Sequence, residues 1–344
     1  MKRALRQLLS RPACASVPVV LTGTLAVLFT VTLVRAESGV QPDRIIFGQS
    51  AAFEGPAAEL GLGMRRGLPA AFGEVNATGG VNGRILELVS YNDGYEPTKA
   101  IENTKTLIQQ DQVFALIGEV GTPTSKAVQP IATQAGIPFI VPFTGAEFLR
   151  SPYKRNVINV RASYFQETET MVARLVEDLG VTRVAILYQD DSYGRAGPVG
   201  VKQALGRRHM MLAAEGTYKR NTTAVKRAVL SIRKGRPEAV IMIGAYKPCA
   251  EFIKVARRIG MTTKFLNVSF VGSKALAEEL GENGAGVIVT QVVPFPGDQS
   301  IPLVARYHQA LRALNADAEP GFVSLEGYMV GRLTISVLMH WATT

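Results

Sequence analysis

The chain has 344 residues, 47% of them apolar and 19% charged, with 38 Lys+Arg against 28 Asp+Glu for a net charge of +10. This length and composition exclude a disordered tail and allow about two domains, each with its own core. The 33 glycines carry no triplet period, which excludes a collagen-like repeat.

The positive balance raises a polyanion partner, but much of it lies at the start. Lys2, Arg3, Arg6 and Arg11 precede Val17 to Val34, an 18-residue run without a charge, and Val34-Arg35-Ala36 offers small residues ahead of Glu37. The layout predicts a cleaved secretory signal over residues 1–36, the alternative being an uncleaved anchor. Without those residues 33 bases face 28 acids, a balance of +5 that removes most of the case for nucleic acid. No other stretch reads as long enough to span a membrane, so the expected product is soluble and periplasmic. Cys14 leaves with the leader; Cys249, then alone, reads as a buried small hydrophobe in a chain with no internal disulfide.

From residue 43 short β-rich runs alternate with amphipathic helices. Strands are predicted at Ile45–Ser50, Ile85–Tyr91, Val113–Ile117, Pro138–Val141 and Val157–Val160, with helices at Glu59–Asn76, Lys99–Gln109 and Ser125–Gln134 between the first four. The pattern restarts with a helix at Gln166–Leu179. Strands then follow at Val184–Tyr188, Leu212–Gly216, Ala239–Gly244, Phe265–Val268 and Val287–Val292, separated by helices at Val199–Arg207, Ala224–Lys234, Cys249–Ile259 and Lys274–Leu280. Two helices close the chain, at Pro302–Leu314 and from Ser324 to about Trp341. Alternation on this scale implies βαβ units and an α/β fold of mostly parallel sheets. The same grammar occurs twice, so two lobes are expected, one from 43–160 with 290–344 returning to it and one from 161–289. The last helix ends without a Gly or Pro stop signal, so a closing C-terminal segment is expected to be missing.

Reactive constellations are scarce. The three histidines, His209, His308 and His340, have no ligand partner at helical spacing, so no metal site is expected. There is no G-x-S-x-G elbow and no Walker loop. Gly61-Leu-Gly63-Met-Arg-Arg-Gly67 approaches a dinucleotide loop but has one residue too many, and no cofactor is expected. Asp190-Asp191 could serve as acid and base at a strand end, or simply cap the next helix. The more specific pattern is at the carboxyl ends of the strands. Gly118-Glu-Val-Gly121-Thr122-Pro-Thr124-Ser125 runs from a strand into a helix and offers amides and hydroxyls to a small anion. Phe143-Thr144-Gly145 follows the next strand, and Tyr193, Tyr246 and Ser269 hold the equivalent places in the second half. Together they describe a cleft with aromatic walls, hydroxyls and free amides.

These motifs, with Tyr188-Gln-Asp-Asp-Ser-Tyr-Gly-Arg195 and Gly244-Ala-Tyr-Lys-Pro248, resemble the type I periplasmic binding proteins, in particular the Leu/Ile/Val-binding proteins of ABC importers. The resemblance covers residues 43–340. It implies a two-lobed clamp that binds a small amino acid or organic acid, acts without catalysis or a cofactor, and docks as a monomer on a membrane permease. Thr122 then matches the residue binding the ligand α-carboxylate, Phe143 to Gly145 complete that site, and Tyr193 and Tyr246 are ring walls. Two positions depart from the pattern: Ser269 stands where the family has an acid for the α-ammonium, and the first-lobe aromatic aligns near Leu60. Either Asp190, Glu326 or Glu54 has taken the acid's role, or the ligand is a carboxylate without an amine. A sensory protein of the same fold and an exported enzyme using Asp190 or Asp191 are the alternatives.

Overall fold

A computed structural model describes residues 38–341, and the predicted leader lies outside them. The first sheet is built from β1 (Arg44–Ala51), β2 (Ile85–Asn92), β3 (Ala115–Ile117), β4 (Phe139–Ile140) and β5 (Val157–Ile158), in the order β2-β1-β3-β4-β5. Helices α1 (Ala58–Asn76), α2 (Pro97–Gln109) and α3 (Thr122–Ala135) connect the first four strands. The second sheet is built from β6 (Val184–Gln189), β7 (Ala214–Tyr218), β8 (Ala239–Ile243), β9 (Lys264–Asn267) and β10 (Ile288–Val289), in the order β10-β9-β8-β6-β7. Around it lie α4 (Tyr164–Ala173), α5 (Ala196–Gly206), α6 (Lys226–Lys234), α7 (Tyr246–Arg258) and α8 (Ser273–Leu280). Every strand pair is parallel, with helical crossovers throughout except between β4 and β5, which a loop with one short 3-10 turn at Glu147–Leu149 connects. Strands such as Val-Ile-Met-Ile in β8 are fully buried, as a sheet covered on both faces requires.

The α/β class and the two-sheet arrangement are as expected, and the differences are local. α4 begins with a capping box, Ser163 and Gln166 satisfying each other's backbone amides. After Ala173 the same helix widens to a π-turn over Arg174–Asp178, where the sequence pattern predicts an unbroken helix. α3 starts at Thr122 rather than Ser125, since Pro123 fits the first turn of a helix. Cys249 is buried and free, and burial pushes its thiol far up.

The last helices, α9 (Pro302–Leu314) and α10 (Phe322–Trp341), return to the first lobe, and α10 lies along α1. The glycines that looked like a defective dinucleotide loop explain this contact. A Cβ on Gly67 would strike the Ser324 carbonyl, one on Gly63 would lie 2.7 Å from the Val323 side chain, and one on Gly331 2.6 Å from Ala71. Small residues let the two helices meet nearly backbone to backbone. α10 also corrects the expectation that no second stretch could cross a membrane. By length and composition Phe322–His340 qualifies, and half of that stretch is buried inside the protein.

Gly67→Ala should therefore cost about 3 kcal/mol or more in urea unfolding, because backbone cannot yield to the new methyl. Gly73→Ala, on the exposed side of the same helix with nothing within 4 Å, should instead gain up to about 1 kcal/mol from helix propensity. Equal effects at the two positions would refute the close-contact explanation.

Candidate functional site

The carboxyl ends of both sheets converge on one buried cluster. Gly118 and Gly121 both have positive φ and turn the chain from β3 into α3. Gly121 has a second reason to be glycine, because a Cβ there would strike the Tyr95 ring. Tyr95 is held by an Asx turn in which the Asp93 carboxylate accepts from its amide at 2.7 Å. Thr122 Oγ1 and Thr144 Oγ1 are 2.6 Å apart, and Thr144 Oγ1 lies 3.2 Å from the Tyr164 hydroxyl. Thr124 turns away, donating to the carbonyls of Val120 and Gly121. Gly145 is pressed against Tyr164, and its carbonyl accepts from the Tyr164 amide at 2.9 Å. The result is three buried hydroxyls at one point.

Five rings surround that point. Phe270 stands 4.5 Å from Tyr193, 5.4 Å from Phe143 and 6.3 Å from Tyr95 between centroids, and Tyr164 lies 5.3 Å from Tyr193. All five are at most 1% exposed. Tyr95 and Phe143 come from the first lobe, Tyr193 and Phe270 from the second, and Tyr164 from the helix entering the second. Burial pushes the hydroxyls of Tyr95, Tyr164 and Tyr193 above the ordinary tyrosine range, so they remain protonated donors at neutral pH.

The electrostatic centre is Arg161, in the crossover between the lobes. Its guanidinium donates to Glu326 Oε2 at 2.5 Å, contacts Ser269 Oγ, and stacks 4.3 Å above the Phe143 ring. Burial pulls its affinity for the proton down, and the charges of Glu326 and Glu167 more than restore it. Burial pushes the Glu326 carboxyl up while Arg161 opposes that push. Glu167 closes the group: its Oε2 accepts from the Ser269 amide at 2.8 Å and from Thr290, and its Oε1 has no partner among the described residues.

Of the seven residues predicted for the site, Thr122, Phe143, Thr144, Gly145 and Tyr193 line the hydroxyl and ring cluster, and Ser269 lies beside it under Arg161. Tyr246 stands elsewhere. Its hydroxyl accepts from the Glu59 amide at 3.4 Å, and it lines a surface hollow with Glu59, Lys247 and Glu279. Leu60, at the place where the family has a first-lobe aromatic, is buried next to Gly272, and the first-lobe rings in the cluster are Tyr95 and Phe143. Among the acids considered as substitutes at Ser269, Glu326 reaches that position, through Arg161. Asp190 is exposed and paired with Arg195, and Glu54 is exposed. Asp191 accepts from the amides of Tyr193 and Gly194. Tyr95, Arg161, Tyr164, Glu167 and Phe270 were not singled out from sequence. Phe270 was the most accessible of them, being adjacent to Ser269 at a strand end.

Behind Tyr95 lies a second buried group. The Ser50 amide donates to Glu119 Oε1 at 3.1 Å, the Ser50 hydroxyl to Asp93 Oδ2 at 2.9 Å, and Asn103 to the Ser50 hydroxyl. Burial, then the Asp93 charge, pushes Glu119 well above the ordinary carboxylate range, and burial raises Asp93 to about 6.

The chain belongs to the periplasmic binding proteins: the profile of that family, described as "Periplasmic binding protein", matches residues 45–343. Within it the chain falls among the type I proteins of the branched-chain amino-acid group. It is 23% identical to the Leu/Ile/Val-binding protein of Escherichia coli K12 over 272 residues, 79% of this chain and 73% of that protein. A solved structure described as a possible leucine/isoleucine/valine-binding protein from Rhodopirellula baltica superposes with a TM-score of 0.83 at 41% identity, covering 86% of this chain and 81% of that one. The fold is shared at 20% identity with a fatty acid ABC transporter substrate-binding protein from Thermomonospora curvata, with a TM-score of 0.81 over 89% of this chain and 78% of that one.

Asp93 gives the site a pH signature. Its value in the folded protein, about 6, lies above the ordinary 3.8. Stability from the protonated group is therefore complete below about pH 4 and is lost as pH rises through about 6, in total about 3 kcal/mol. Asp93→Asn, neutral at every pH, should gain on the wild type by that amount between pH 4 and 7 in urea titrations. A difference that stays constant across this range would show that Asp93 is not buried as a neutral acid.

Proposed function

We propose that this chain is an exported solute-binding protein that captures a small carboxylate-bearing ligand with an apolar body between its lobes and delivers it to the permease of an ABC importer. The observation that carries this reading is the meeting of the Thr122, Thr144 and Tyr164 hydroxyls with rings from both lobes. Protonated hydroxyls offer hydrogen bonds to an anionic oxygen, and the rings provide an apolar surface that only closure completes. The likeness to Leu/Ile/Val-binding proteins supports an amino-acid-like ligand.

One observation favours an acid without an amine. Ser269 carries no charge, and its hydroxyl is taken by the Arg161 guanidinium. Glu326 is committed to Arg161, which leaves Glu167 Oε1 as the acceptor an ammonium would have to find. The fold does not decide the matter, since among the similar structures it serves a fatty-acid binder as well as leucine binders.

Thermal shift with L-leucine, 4-methylpentanoate and L-leucinamide separates these readings. The two carboxylates should raise the melting temperature, by about 2.7 kcal/mol of stability at 100 times Kd, and the amide should not. A response to leucinamide alone would overturn the carboxylate reading. If leucine exceeds 4-methylpentanoate, the ligand carries an amine, and Glu167→Gln should then abolish the excess. Thr122→Val should lose the carboxylate response while the unliganded melting temperature stays within a few degrees; a collapse of the fold would make Thr122 a structural residue.

A further inference from the structure

The crossovers between the lobes leave from β5 and β10, which form one edge of each sheet; β2 and β7 form the other. The loops that follow β2 and β7 meet across the gap between the lobes. Asn221 Nδ2 donates to the Gly94 carbonyl at 2.9 Å and to Glu96 Oε1 at 2.7 Å. Arg220 donates to Glu96 Oε2 at 2.8 Å with one guanidinium nitrogen and to Asp191 Oδ2 at 3.1 Å with the other. Arg220 is 22% exposed, Asp191 12% and Glu96 40%. The guanidinium thus joins a carboxylate of each lobe, at the edge furthest from the crossovers.

One carboxylate bonds a ring wall directly, and the other sits on the residue next to one. Asp191 holds Tyr193 by accepting from its amide through Oδ1, the oxygen that Arg220 leaves free. Glu96 follows Tyr95 in the tight turn set by Asp93, whose carbonyl accepts from the Glu96 amide. Arg220 therefore bridges the two turns that aim Tyr193 and Tyr95 at Phe270. A single guanidinium in a planar fork can serve both carboxylates, which an ammonium cannot do with the same geometry.

We propose that Arg220 is a positioning residue that couples closure of the lobes at the β2/β7 edge to the placing of the two tyrosine walls. When the lobes part, Arg220 keeps Asp191 and loses Glu96, so the turn carrying Tyr95 is released and the guanidinium that steadies Asp191 is left anchored from one side only. The pair is electrostatic and lies near the surface, so the coupling weakens as salt rises. The proposal rests on the two-lobed fold and is independent of which solute is bound.

Hydrogen–deuterium exchange of the unliganded protein tests it. Arg220→Ala should speed exchange about tenfold in segments 93–96 and 190–195, leaving α1, α10 and β8 unchanged. Glu96→Gln, altered only in the first lobe, should speed segment 190–195 in the second, and about 1 M salt should do the same to the wild type. Arg220→Lys should restore one of the two segments and not both. If Glu96→Gln affects segment 93–96 alone, the turns are not coupled and the proposal is wrong. If Arg220→Ala speeds β8 as much as the two turns, Arg220 is an ordinary stabiliser of its lobe and the proposal is equally wrong. Should the exchange results hold while no carboxylate shifts the melting temperature, the coupling stands and the solute assignment falls.

Discussion

A buried guanidinium sets the geometry from which the rest of the cleft follows. Arg161 leaves the first lobe on the crossover, grips Glu326 on α10 and reaches Ser269 in the second lobe. Taking that charge out of water is costly, and its two glutamates, one in direct contact, together with the Phe143 ring offset the cost. A pair of this kind is a weak source of net stability and a strong constraint on arrangement. Removing either partner leaves an uncompensated charge in the interior, so the three segments it joins must stay together near the crossovers.

The far edge is held differently. There the contacts are part-exposed, salt-sensitive and individually worth about 1 kcal/mol or less, which suits a contact that has to break. The protein thus has a buried side and a part-solvated side, with the hydroxyls and rings in between. The acids behind Tyr95 add a third environment, in which burial pushes Glu119 well above the ordinary carboxylate range and Ser50 serves two carboxyl groups.

The alternating strands and helices were legible in the sequence because periods of two and of about 3.6 are written in burial, and burial decides most of this fold. Thr122, Thr144 and Tyr193 could be found because a parallel sheet brings its strand ends to one edge. Arg161 could not be found this way: an arginine in a crossover looks solvated until its partners, 108 and 165 residues away, are known. Gly63 and Gly67 looked like a faulty dinucleotide loop. Their meaning lies in α10, a contact more than 250 residues distant that no local pattern records. Tyr246 shows the reach of such a position, since a strand end gives the edge of the sheet but not which residue of the facing lobe it meets, here Glu59 rather than the ring cluster.

Phe270 sits on a three-residue turn closed by Gly272, whose left-handed conformation is packed against Leu60. The turn that carries the ring thus belongs to the second lobe and packs against helix α1 of the first. On its own side it meets Tyr193 and through it Tyr164, and on the other Tyr95 and Phe143. The boundary between the lobes consequently runs through the ring cluster, between Phe270 and the first-lobe pair. On the function proposed above, the width available to a solute between the lobes is set by the spacing of one second-lobe ring from two first-lobe rings.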